Sequence, residues 1–341
     1  MCDYMPVEVI IEILKRLPVK SVVRFRSVCK SWNTLFTHPC FISAHLQASL
    51  SNNTPFLLLD YIKNGKYDYF LHYDIDGFEE FKQLQFSPFG DAADSLVVGS
   101  CNGLICVFLF YPDNDMNFVL WNPSIQKYIS LPEPTIPDVW SYGFDPRTND
   151  YKLFIVEAKR VCSCFELFSL NGNCWKRVTA VYPKYAFGGR THNTYMSLPF
   201  VNGAVHWSGY RERNNGEYSH AILGFDFSAE EFFEMNFPES FSGWDPKNLA
   251  IFKYGESSIA VTARPTGGEF RELWVMKEYG VVESWTKVLT LHPVIGLWLP
   301  SVLGFRKNGE VLLQVDDGEM ASLDLNSQQM EPQGVLIGEG L

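Results

Sequence analysis

The chain has 341 residues, 46% hydrophobic and 20% charged, enough to bury a large core and to divide into about two domains. Its net charge of −11 argues against general nucleic-acid binding, which needs clustered basic charge. The longest apolar run, near Leu104–Tyr111, falls far short of the roughly 18–20 residues of a membrane-spanning helix.

Charge is unevenly spread. Residues 1–50 hold six Lys/Arg against Asp3, Glu8 and Glu12, net +3, and the remaining 22 basic and 36 acidic residues give −14. A basic head on an acidic body suits an acidic partner, and equally a solvated helix face. The chain starts MCDYMP, without a basic-then-apolar leader, so its eight cysteines are expected as reduced thiols in an intracellular protein, cytosolic or nuclear.

Pro6 fits the first turn of a helix, and Ile10, Ile13, Leu14 and Leu17 follow the spacing of one apolar helix face. Pro18 stops that helix. Val22, Val23 and Phe25 mark a second, Ser27 is the expected N-cap of a third containing Cys29, Trp32 and Phe36, and Pro39 opens a fourth. Four short helices expose more apolar surface than they can hide among themselves. The head therefore docks on something, either the rest of the chain or a partner.

Met5–Trp32 closely resembles an F-box. The matching residues are Pro6, Glu8, Ile13-Leu14, Leu17-Pro18, Lys20-Ser21-Val22, Arg24-Phe25-Arg26, Val28-Cys29-Lys30 and Trp32 in one register, with Met5 where the family usually has Leu. The resemblance implies binding to a Skp-family adaptor, and through it to the cullin and RING subunits of an SCF-type ubiquitin ligase. Carried over by position, the adaptor-facing residues are Met5, Pro6, Ile10, Leu14, Leu17, Pro18, Val22, Phe25, Val28, Cys29 and Trp32. Each of them also fits the core of a small bundle.

After a polar linker over 49–55, the pattern changes to short apolar runs separated by turns. Asn102-Gly103, Asn202-Gly203 and Asn308-Gly309 precede or interrupt apolar runs, as two-residue hairpin turns do. Apolar-aromatic strands recur at Trp121, Phe168, Phe225, Trp274 and Leu323, at intervals of 47, 57, 49 and 49 residues. A period near 50, with about four strands per unit, predicts a β-propeller of about six blades near 54–90, 95–132, 139–180, 196–238, 246–292 and 300–337. A pair of β-sandwiches is the alternative. Ring closure calls for a strand from one end to complete a blade at the other, from Phe56–Asp60 or Val335–Ile337. The fold class is thus mainly β with an α-helical head: helical domain 1–48, linker 49–55 and propeller 56–337.

The body resembles the plant F-box-associated domain, found in kelch-like and S-locus F-box proteins. The segments are GSCNGLIC (99–106), LWNPSIQKYISLP (120–132), YGFDPRTNDYKLF (142–154), FVNGAVHW (200–207), AILGFDF (221–227), ELWVMKEYGVVESWTKV (272–288) and GFRKNGEVLL (304–313). The resemblance implies a substrate receptor for a protein target.

Catalytic patterns are missing from the sequence. Cys162 and Cys164 would face the same way in a strand, but no further ligand spacing completes a metal site, and His206 alternates with apolar neighbours as a packed residue does. Asp145–Asp150 reads as a turn. No cofactor or metal is expected, and no nucleic-acid or membrane partner. Target contact is expected from aromatic and Arg residues of long connections: Trp140, Tyr185, Arg190, Tyr210, Arg211, Arg213 and Trp244. Two other readings remain, a protein that sequesters the adaptor without ligase output and a propeller enzyme with carboxylates or metal ligands converging on its channel.

Overall fold

The computed structural model describes the chain except residues 1–4, 53–55, 64–65, 76–79, 85–93, 112–115, 137–138, 158–163, 189–197, 213–217, 242–243, 245–247, 266, 294–298, 316–318 and 337–341. Four helices come first: α1 (Val7–Leu14), α2 (Val19–Phe25), α3 (Lys30–Thr37) and α4 (Pro39–Asn52). Pro6 and Pro18 stand immediately before α1 and α2 with extended backbone, and each carbonyl accepts the first bonds of its helix. Pro39 opens α4 as expected. Two head expectations change. Cys29, not Ser27, caps α3, because the Ser27 hydroxyl bonds back to the Arg24 carbonyl at 2.7 Å. The first four residues assigned to the linker belong to α4.

The body is built from six antiparallel sheets among the described residues. The first has three strands: β1 (Phe56–Lys63), β2 (Lys66–Tyr73) and β3 (Glu80–Leu84). The second contains β4 (Asp94–Cys101), β5 (Leu104–Phe110), β6 (Met116–Asn122) and β7 (Lys127–Ser130). The third contains β8 (Val139–Asp145), β9 (Asp150–Val156), β10 (Phe165–Ser169) and β11 (Cys174–Arg177). The fourth has five strands, β12 (Ala186–Phe187), β13 (Phe200–Val201), β14 (Ala204–Glu212), β15 (Tyr218–Asp226) and β16 (Glu231–Met235). The fifth comprises β17 (Leu249–Tyr254), β18 (Ser258–Ala263), β19 (Arg271–Met276) and β20 (Trp285–Leu291). The sixth comprises β21 (Ser301–Phe305), β22 (Val311–Gln314), β23 (Glu319–Leu323) and β24 (Met330–Leu336). The predicted blades match these sheets closely, except that the fourth begins earlier, at Ala186.

Alternation along the strands makes the ring. In β9, Leu153 and Ile155 pack toward the second blade, whereas Phe154 and Val156 pack toward the fourth. In β18, Ile259 and Val261 face the fourth blade and Ala260 the sixth. Middle strands are thus buried on both faces, which is why LICVFLF (104–110) and LFIV (153–156) are unbroken apolar runs. The ring closes where Leu312 and Met320 of the sixth blade meet Leu57 and Leu59 of the first. Among the described residues no strand is shared there: β1 pairs with β2, and β24 with β23. Instead Arg306, at the end of the β21 hairpin, reaches Asp74 at 2.7 Å and donates to the Ile75 carbonyl at 2.7 Å. The Lys307 N–H also donates to Asp74, at 2.8 Å.

Turn chemistry follows sequence in part. Asn102 (φ 52°) and Gly103 (φ 77°), like Asn202 (φ 51°) and Gly203 (φ 80°), form the expected tight hairpins. At the third pair only Gly309 takes positive φ, 92°, because the turn bonds Gly309 N–H to the Arg306 carbonyl. A different turn recurs four times. Asn122, Asp145, Asp226 and Asp324 each accept hydrogen bonds from backbone N–H groups two or three residues on. Asp145–Asp150 is one of these turns, closed by Asn149 at φ 51°.

Candidate functional site

The head has its own core of Leu14, Val22, Phe36 and Phe41, with Ile10, Ile11, Leu17, Phe25, Trp32 and Leu35 packed around it. Edge-to-face aromatic contacts run from Phe25 to Trp32 (5.6 Å between centroids), then to Phe36 (5.7 Å) and Phe41 (5.0 Å). His45 on α4 hydrogen-bonds the Leu17 carbonyl at 2.9 Å, which fixes the turn that presents Pro18.

The eleven predicted adaptor residues divide by exposure. Met5 (50%), Pro6, Pro18, Val28 (62%) and Cys29 are exposed, and Ile10, Leu17, Phe25 and Trp32 are half-buried. Leu14 and Val22 are buried and hold the bundle together rather than facing outward, because the inward side of each short helix must fill the core. The structure adds Val7, Val9, Ile13, Val23 and Ile42, all exposed. Seven of the fifteen large apolar side chains that stand exposed among the described residues therefore lie in the first 42 positions. Ile13 and Val23 read as apolar helix positions but are not carried into the adaptor set, and Val7 and Val9 sit off the Ile10–Ile13–Leu14–Leu17 stripe. The exposed Cys29 thiol is held below its ordinary range by a hydrogen bond with Ser31 and by backbone N–H groups at the start of α3.

The seven body residues do not form one site. Trp140 lies inside β8, fully buried, 4.1 Å from the Phe108 ring, and cannot reach a partner. Trp244 stacks on Phe241 at 4.8 Å as part of the packing between the fourth and fifth blades. Arg190 and Arg213 lie outside the described residues. Tyr185 and Arg211 come together, but Tyr185 is only 8% exposed and belongs to the core between the third and fourth blades, and Tyr210, adjacent to Arg211 in β14, points to the opposite face of the sheet. The Arg211 guanidinium lies 4.0 Å over the Tyr185 ring, and its Nε donates to the Lys184 carbonyl at 3.0 Å. The Tyr185 hydroxyl donates to Glu234 at 2.9 Å, and burial together with that carboxylate raises its pKa. Tyr210 meets Tyr218 edge-on at 5.6 Å. Both contacts lie at the outer end of β14 and β15, whose nine-residue strands are the longest pair among the described strands of the body.

His206 is completely buried, as its alternation implies, and contacts the Tyr279 hydroxyl at 2.6 Å. Burial lowers its pKa to about 4. Cys164 is a free, half-buried thiol, and Cys162 lies outside the described residues. Among the described residues no three His, Cys, Asp or Glu side chains converge as metal ligands, and no helix is long and apolar enough to cross a membrane.

A small helical head with an over-apolar surface, joined to a ring of six sheets, defines the class of F-box proteins with a propeller body. The chain belongs to that family: the F-box domain matches residues 3–43, and the F-box associated beta propeller domain matches residues 80–329. Its relatives include an F-box/kelch-repeat protein of Arabidopsis thaliana, 27% identical over 84% of this chain and 79% of its own. F-box protein CPR1 of the same plant is 24% identical over 95% of this chain and 83% of its own. Among solved structures, TolB from Acinetobacter baumannii is similar over 88% of this chain and 71% of its own, at 13% identity and a TM-score of 0.49.

Proposed function

We propose that the chain is a substrate receptor of an SCF-type cullin–RING ubiquitin ligase. The head binds a Skp-family adaptor, which carries the cullin and RING subunits, and the propeller holds a protein target. One observation carries this reading: the head completes its own core and still leaves seven large apolar side chains exposed. A surface of that kind calls for a partner. Met5, Pro6, Pro18, Val28 and Cys29, flanked by Ile10, Leu17, Phe25 and Trp32, form the adaptor face, while Leu14 and Val22 support it from within. F-box proteins are generally non-catalytic, and this chain acts by proximity, bringing its target to an enzyme that performs the transfer.

On the body, Arg211 is the target-contact residue we assign, exposed and held over the buried Tyr185 ring, since pre-positioned Arg side chains are prominent in binding hot spots. The reading is tested with tagged full-length chain in cells. Cullin and RING subunits should co-purify with it, and depletion should lengthen the half-life of at least one protein. Recovery of adaptor without cullin, and no protein stabilised on depletion, would overturn the ligase output and favour adaptor sequestration.

A further inference from the structure

The head carries a second surface property that its apolar face does not explain. From Ile13 to Leu59 the sequence contains no Asp or Glu, yet it contains Lys15, Arg16, Lys20, Arg24, Arg26 and Lys30. Lys15 and Arg16 lie 2.5 and 3.7 Å from Glu12, one turn back on α1. Arg26 donates through Nε to Asn33 on α3 at 3.1 Å, which holds it beside the first turn of that helix. Lys20, Arg24 and Lys30 are exposed and have no carboxylate partner among the described residues.

Local energetics work against this arrangement. Lys20 and Arg24 are four residues apart on α2, so like charges share one helix face. Lys20 is the second residue of α2 and Lys30 the first of α3, each at the helix end where the dipole disfavours a cation. Arg24, in the last turn of α2, is the exception, favoured by the same dipole. A cationic strip that the fold opposes at two of its positions points to a counter-charge outside the chain. Along the sequence the strip also interleaves with the proposed adaptor face, since Phe25, Val28 and Cys29 lie between its members.

We infer that the surface receiving the α2–α3 face of the head is acidic, and that Lys20, Arg24, Arg26 and Lys30 steer its approach. The inference rests on the adaptor reading above and deepens it: apolar contacts set how long the complex lasts, and the cationic strip sets how fast it forms. The test measures association and dissociation rates of the full-length chain with a purified Skp-family adaptor across a salt series. The association rate should fall about 10-fold between about 50 and about 500 mM NaCl, with dissociation nearly unchanged. The triple variant Lys20→Gln, Arg24→Gln, Lys30→Gln should associate about 10-fold more slowly at low salt and lose most of the salt dependence. Wild-type binding with a salt-independent association rate overturns the inference and leaves the adaptor reading standing. No binding at any salt overturns the adaptor reading itself, and the inference with it. The wild-type salt series decides between these outcomes even if the variant folds poorly.

Discussion

Arg306→Met is expected to destabilise the propeller by about 3–5 kcal/mol, the usual consequence of removing one partner from a buried ion pair. Arg306 and Asp74 are each 4% exposed at the side chain, so neither charge can turn to water. The guanidinium also pairs with Glu310 at 2.6 Å and donates to the Ile75 carbonyl, so its loss removes the cation facing two carboxylates and the donor to one carbonyl. The position magnifies the effect. The described apolar contact between the sixth and first blades has two buried members, whereas that between the third and fourth has thirteen. Among the described residues no strand is shared there, and Arg306 ties the two blades together through Asp74 and the Ile75 carbonyl. Denaturant unfolding should show the loss directly, and Arg306→Met with Asp74→Asn should recover part of it. A cost below about 1 kcal/mol would mean that the seam holds without the arginine.

Asp145→Ala should cost about 3–5 kcal/mol for a related reason. Asp145 is fully buried, 2.9 Å from the Lys152 ammonium, and accepts from Thr148 at 2.6 Å and from Ser228 of the next blade. Lys152 in turn donates to the Phe227 carbonyl at 2.6 Å, so the pair ties the third blade to the fourth. Burial alone would raise the Asp145 pKa, but bonds from Ser228, Thr148, Lys152 and the Arg147 N–H outweigh it and hold the carboxyl well below its ordinary range. A carboxyl depressed in the folded state contributes stability above its unfolded pKa of about 3.9. That contribution is lost as pH falls further, at about 1.4 kcal/mol per pH unit. Wild type and variant should therefore differ most at neutral pH and converge below about pH 4 in chemical unfolding. A difference that stays constant from pH 7 to pH 3 would contradict the assignment.

Much of the architecture was legible because propeller blades repeat. Even spacing of Trp121, Phe168, Phe225, Trp274 and Leu323 marked the units, and strands buried on both faces showed as continuous apolar runs. What escaped was long-range. Closure by Arg306 and Asp74 joins residues 232 apart, and neither carries a local signal. The recurring turn begun by Asn122, Asp145, Asp226 and Asp324 was less visible than Asn-Gly, because its positive-φ position is taken by residues as different as Gln126, Asn149 and Glu230. By sequence Trp140 counts among the aromatics of long connections, but its strand begins at Val139 and carries the indole into the core. In the head, periodicity located the helices and could not separate core from interface. Leu14 and Met5 differ only in what the folded bundle puts over them.

The central claim is tested most directly by the affinity of the full-length chain for a purified Skp-family adaptor. Met5 and Val28 are exposed and outside the head core, so Met5→Asp with Val28→Asp should preserve the fold. Placing two carboxylates in an apolar interface should weaken binding about 100-fold or more, as loss of hot-spot contacts does. Tyr128→Asp with Ile129→Asp, two other exposed apolar positions on β7 of the body, should leave affinity unchanged. Tight binding by the wild type and the β7 variant, with binding lost in the head variant at an unchanged melting temperature, is the predicted result. Equal binding by all three, or no binding by the wild type, would contradict the account.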